Sequence, residues 1–188
     1  MNGDTDTSTE VGIGGPVGWT VSGLVGGAIG ALAFGVLVWL IDPDVIGTTL
    51  PAAYGLEATG LTGWGIQLVH GAVLGLIFGF LITRKPVLGI VRTDVETDAI
   101  AKTSETTRII AAGFVFGLTI WAVLPVLVLP VVAGTVGTEE AAAFPGLAAE
   151  GLLGHVLFGT VLGAVFAVLI DLTDRSSRAV LEEDTTEP

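Results

Sequence analysis

The chain of 188 residues contains no cysteine. That excludes disulfides, thiolate metal sites and cysteine nucleophiles. Positive charge is almost as scarce, with seven Lys and Arg against 19 Asp and Glu and a formal net charge of −12. A surface of that sign repels phosphate backbones, so no nucleic-acid partner is expected. Charged residues make up 14% of the chain, where a soluble domain would carry about a quarter. None stands in the interior of the long apolar runs, which counts against a proton- or sodium-driven carrier with ionisable groups at mid-membrane. No acidic residue neighbours a histidine, and no glycine-rich phosphate loop follows a strand pattern. The chain therefore reads as a protein that is not an enzyme.

What the sequence does hold is four apolar runs, at about 17–41, 63–82, 108–132 and 152–170. Each can cross a bilayer core, which needs about 20 helical residues. Trp19 and Trp39 bracket the first run and Trp64 opens the second, as interfacial anchors would. Arg84, Lys85, Arg92, Lys102 and Arg108 fall between runs two and three, and Arg175 and Arg178 follow run four. The connections after runs one and three contain no Lys or Arg, and their charged residues are all acidic. Cationic bias sets orientation, so both termini and the 83–107 linker are expected in the cytoplasm, in a multi-pass protein of the cell membrane. The expected fold class is an all-α membrane protein of four transmembrane helices. The expected organisation is an acidic tail (1–15), a helix pair (16–82), a linker (83–107), a second pair (108–172) and an acidic tail (173–188). The first fifteen residues lack the basic start of a signal peptide, so run one is expected to be retained.

The two halves resemble each other. Ala52 to Leu61 can be laid on Ala142 to Leu152 with one insertion, and each stretch leads into an apolar helix with one histidine, His70 or His155. Glycines follow each histidine, Gly75 and Gly79 in one half, Gly159 and Gly163 in the other. The pattern predicts two tandem helix pairs in a parallel repeat. Small residues at intervals of four line every run: Gly23, Gly27, Ala31 and Gly35; Gly71, Gly75 and Gly79; Gly113 and Gly117; Gly159 and Gly163. Such stripes let helices approach closely in a solvent as apolar as their side chains. They are read as packing faces within the bundle, with a ligand seat or a dimer face as the functional alternative; the partners expected are lipid and a homo-oligomer or larger membrane complex. Pro125 is expected to kink run three.

Candidate chemistry narrows to His70 and His155, with Gln67 on the same helix face as His70. Two imidazoles at similar depth on separate helices can serve as axial ligands of a b-type haem. They can equally serve as hydrogen-bonding groups between helices, and the expectation is that structural role, with no cofactor and no metal. The haem carrier stays as the alternative.

Leu124-Pro125 through Leu129-Pro130, Phe144-Pro145-Gly146-Leu147 and the run Gly154-His155-Val156-Leu157-Phe158-Gly159 to Gly163 resemble a family of small prokaryotic membrane proteins. That family is common in haloarchaea and has a G-H-x-x-[aromatic]-G-x-x-x-G closing helix. The resemblance is best over 108–172 and implies a four-helix membrane protein without an assigned activity. Its members are sometimes labelled histidine kinases, a label this chain does not support, because it has no room for an ATP-binding domain. A halophilic archaeon as source agrees with the evenly spread acid excess, since high salt screens like-charge repulsion. The expected role is an accessory or packing subunit in the lipid bilayer.

Overall fold

In the computed structural model, residues 15–84, 87, 104–136 and 149–184 are described, with side chains over 17–84, 87, 104–123 and 151–170. Among them there is no strand. The long helices are α1 (Gly15–Ile41), α3 (Gly60–Ile82), α4 (Glu105–Val136) and α5 (Ala149–Asp184). A π turn (Val45–Thr49) and the short α2 (Leu50–Ala53) form a strap between α1 and α3. Four segments, Val17–Ile41, Gly60–Ile82, Glu105–Val123 and Gly151–Ile170, are long and apolar enough to cross a bilayer. The chain is a multi-pass α-helical membrane protein.

Local chemistry sets the helix ends. After α1, Asp42 N closes the last helical bond to Val38 O at 2.8 Å. Pro43 then has no N–H to offer, and Asp44 N instead donates to Asp42 Oδ1 at 3.0 Å. The strap ends at Gly55, whose φ of 64° suits glycine. Thr59 caps α3 by accepting from Thr62 N at 3.1 Å, and Ser104 accepts from Thr107 N at 3.2 Å just ahead of α4.

Two helices outrun the spans read from the sequence. The α5 backbone stays helical to Asp184, through most of the stretch expected as a tail. No Gly or Pro interrupts residues 171–184, and Asp174 and Arg178 are spaced four apart in the favourable order. The α4 helix runs through Pro125 and Pro130 as one element. The amino-terminal tail and nearly all of the 83–107 linker lie outside the described residues.

The helices pack around a square. Contacts are extensive on three sides, α1 with α3, α4 with α5, and α1 with α5, and sparse on the fourth, α3 with α4. Phe166, Leu162, Phe78, Ile82, Ile109 and Ile170 form the centre, each 5% exposed or less. Phe166 meets Phe78 edge-on, with ring centroids 5.3 Å apart. The outward faces are as apolar as the centre: Val69, Val73, Val115 and Val168 are each more than half exposed. That surface suits lipid and would be untenable in water.

The glycine stripes make the two tight pairs, and in the same way. A Cβ added to Gly75 would come within 2.8 Å of Gly27 Cα, and one added to Gly159 within 2.9 Å of Gly117 Cα. A Cβ on Gly79 would stand 3.0 Å from Trp19 O, and one on Gly163 2.9 Å from Ile109 O. Trp19, Gly23 and Gly27 of α1 thus take the places that Ile109, Gly113 and Gly117 take on α4. Gly75 and Gly79 of α3 correspond to Gly159 and Gly163 of α5. The paired glycines expected from the sequence are therefore equivalent in space. Gly35 is covered differently: its added Cβ would meet the Trp64 ring at 2.5 Å. Trp19 and Trp64 spend their rings on packing, Trp19 against the core cluster.

Candidate functional site around the two histidines

The glycine contacts also assign the geometric counterpart of His155. Gly117 abuts the backbone carbonyl of His155 as Gly27 abuts that of Gly71. His155 thus corresponds to Gly71, one residue beyond His70. One residue is about 100° around a helix, so the two imidazoles leave their helices in different directions. The pairing of His70 with His155 as repeat equivalents is corrected on this point. Gaps in the sequence overlay left the offset free, and the backbone contacts fix it.

Each histidine has its own partners. His70, half-buried on α3, shares a short hydrogen bond through Nε2 with the Tyr54 hydroxyl. The two rings lie 5.5 Å apart, centroid to centroid. The strap brings Tyr54 there: Tyr54 N and Leu56 N both donate to Pro51 O, and Ile46 is buried against Gly63 at the start of α3. His155, half-buried on α5, has Nδ1 2.6 Å from Gly151 O one turn earlier, so Nδ1 carries the proton and donates. Its ring meets Phe34 of α1 edge-on at 5.0 Å. Phe34 in turn lies over Gly154, whose added Cβ would come 2.5 Å from Phe34 Cδ2. No hydrogen bond or ring contact joins the two histidines.

Gln67 shares the His70 helix but is bonded elsewhere. Its Nε2 donates to Ala31 O of α1 at 3.3 Å, a side-chain tie across the glycine contact. Tyr54 and Phe34 were missed in the sequence. Tyr54 is the only tyrosine of the chain, and that was the available signal. Phe34 carried none, being one apolar residue among many.

The His70 and Gln67 bonds tie α3 to the strap and to α1, while the His155 bond stays within α5. A bis-histidine haem would need a ligating nitrogen from each ring on one axis. The Nε2 of His70 is engaged by Tyr54, whereas the Nδ1–H of His155 donates to Gly151 O and leaves its Nε2 open. Among the described residues no three His, Cys, Asp or Glu side chains gather as a metal-binding group. Among the described residues, the buried polar atoms Ser22 Oγ and Trp121 Nε1 have no hydrogen-bond partner and lie on different helices. Comparison with protein-family models, with curated proteins and with solved structures gave no match.

Proposed function

We propose that this protein is a non-enzymatic accessory or packing subunit of a cell membrane, with both termini in the cytoplasm. The observation that carries the reading is where the polar groups go. Every polar side chain at the candidate site is bonded within the bundle: His70 to Tyr54, His155 to Gly151 and Gln67 to Ala31. The span interiors hold no Asp, Glu, Lys or Arg with which to move a proton or an ion. The lipid-facing surface is broad and apolar, which suits contact with lipid, with further copies or with a larger membrane complex. The orientation rests on the location of all seven cationic residues on one side of the spans. The charge of −12 supports a high-salt habitat and disfavours nucleic acid.

Native electrophoresis of mildly solubilised membranes tests the subunit reading. The chain is expected to migrate well above its 19.1 kDa monomer plus detergent. Migration as a monomer, with a haem band in the reduced-minus-oxidised spectrum, would replace this reading by the electron carrier.

A further inference from the structure

The two helix pairs are alike, yet the two seams between them are not. At the α1–α5 seam, α1 presents Gly26 and Gly30. An added Cβ on Gly26 would stand 3.1 Å from Leu162 O, and one on Gly30 2.8 Å from Phe158 O. Backbone lies against backbone there. By the same correspondence, α4 presents Phe116 and Ile120 where α1 has Gly26 and Gly30, and α3 presents Phe78 and Leu74 where α5 has Leu162 and Phe158. The α3–α4 seam is accordingly held by ring against ring, with the Phe78 and Phe116 centroids 5.4 Å apart. Backbone contact between α3 and α4 is sparse.

The side-chain hydrogen bonds described for α3 toward other elements stay within the first pair, running to Ala31 of α1 and to Tyr54 of the strap. The strap itself sits on α3 through Ile46 and Gly63. Its principal contacts among the described residues are with α1 and α3, the first pair.

We infer that the bundle works as two rigid helix pairs, α1 with α3 and α4 with α5, that hinge along the glycine-lined α1–α5 seam and part along the α3–α4 seam. Glycine-mediated backbone contact resists separation along its whole length. A seam of side chains can open by rotating a few aromatic and aliphatic groups and admitting lipid chains in their place. In a bilayer that exchange of apolar partners carries little hydrophobic penalty. Motion of this kind would expose Leu74, Phe78, Phe116 and Ile120 to the bilayer and break the edge contact of Phe78 with Phe166, while the glycine contacts within each pair and along the α1–α5 seam stay intact.

Spin-label distances on the full chain in liposomes test it, and the lack of native cysteine makes labelling clean. Three double variants are needed: Val73→Cys with Val115→Cys across the α3–α4 seam, Leu32→Cys with Leu153→Cys across the hinge, and Val25→Cys with Val73→Cys within a pair. All these side chains are exposed. The α3–α4 distribution should be about twofold broader than the other two, or bimodal, as expected for rigid bodies moving about a hinge. Equal widths for all three would overturn the inference. A fourth sample adds Gly30→Leu to the hinge pair, giving α1 the bulk that α4 carries at Ile120. It should lengthen and widen the hinge distribution, and an unchanged distribution would remove glycine as the cause. Should that variant fail to fold, the three-way comparison still decides.

Discussion

A single methyl group placed at Gly75 should measurably weaken the bundle. Its carbon would stand 2.8 Å from Gly27 Cα and 2.9 Å from Gly27 N, and it would also press on Gly23 O. Carbon atoms attract best at about 3.5–4.0 Å, so α1 and α3 must separate by about 1 Å at this point. The atoms in the way are backbone, and no rotamer change can relieve the clash. A gap of that size removes about a quarter to a half of each dispersion contact it opens. Summed over some tens of atom pairs along the stripe, the cost for Gly75→Ala is about 1–3 kcal/mol, the usual range for overpacking. Gly65 lies on the same helix with nothing within 4 Å of its added Cβ. Gly65→Ala should leave stability unchanged or raise it by about 0.4–1 kcal/mol through the unfolded chain. Denaturation in mixed micelles, followed by helical circular dichroism, gives both midpoints. The variant Gly159→Ala should match Gly75→Ala, because its methyl would meet Gly117 N and Cα at 2.8 and 2.9 Å. A wild-type midpoint for Gly75→Ala, or an equal loss for Gly65→Ala, would refute the assignment of the stripe to α1–α3 contact.

Cysteines introduced at Thr49 and Thr138 should react with an impermeant maleimide in intact cells while one at Ser104 stays protected; the reverse pattern would invert the topology. Tyr54→Phe should cost about 0.5–1.5 kcal/mol by removing the hydroxyl from His70. His70→Ala should then add little to Tyr54→Phe in a double-mutant cycle, whereas fully additive losses would show that the bond contributes nothing. Phe34→Ala should cost about 2–4 kcal/mol, since its ring covers Gly154 and meets His155. Thermal unfolding in detergent checks it, and an unshifted midpoint would place Phe34 in lipid.

Much of this architecture was legible because a bilayer leaves few options. Apolar runs of spanning length must be helical there, as every backbone polar group needs an internal partner. Glycines four apart on such helices mark close approach, and Gly27, Gly75, Gly113 and Gly159 all sit within reach of a facing backbone. The histidine region was less legible. The partner of His70 comes from a strap whose path depends on Pro43, the π turn and the positive φ of Gly55, none of which periodicity reports. The offset that separates His70 from the true counterpart of His155 is a single residue, no larger than the insertion the sequence overlay itself required. The helical course of residues 173–184 was hidden by composition: acidic and hydroxyl residues read as a tail, while the helix continues because nothing there ends it.

Which seam closes follows from two substitutions between otherwise similar halves. Lipid supplies almost no hydrophobic drive for helices to associate, so cohesion depends on how densely atoms meet. Where α1 carries Gly26 and Gly30, the α5 backbone comes to van der Waals distance along the helix. Where α4 carries Phe116 and Ile120, the same approach is blocked, and contact is carried mainly by side chains. Those side chains are not wasted volume. Phe78 stands between Phe116 and Phe166, with centroids 5.4 and 5.3 Å away, and the three rings fill the middle of the square. Glycine at both seams would leave that middle empty, and bulk at both would leave the pairs without a backbone contact to hold them together. One seam of each kind satisfies both demands, and it places the least cohesive boundary of the bundle between α3 and α4, where a second membrane component or a lipid chain would meet the least resistance.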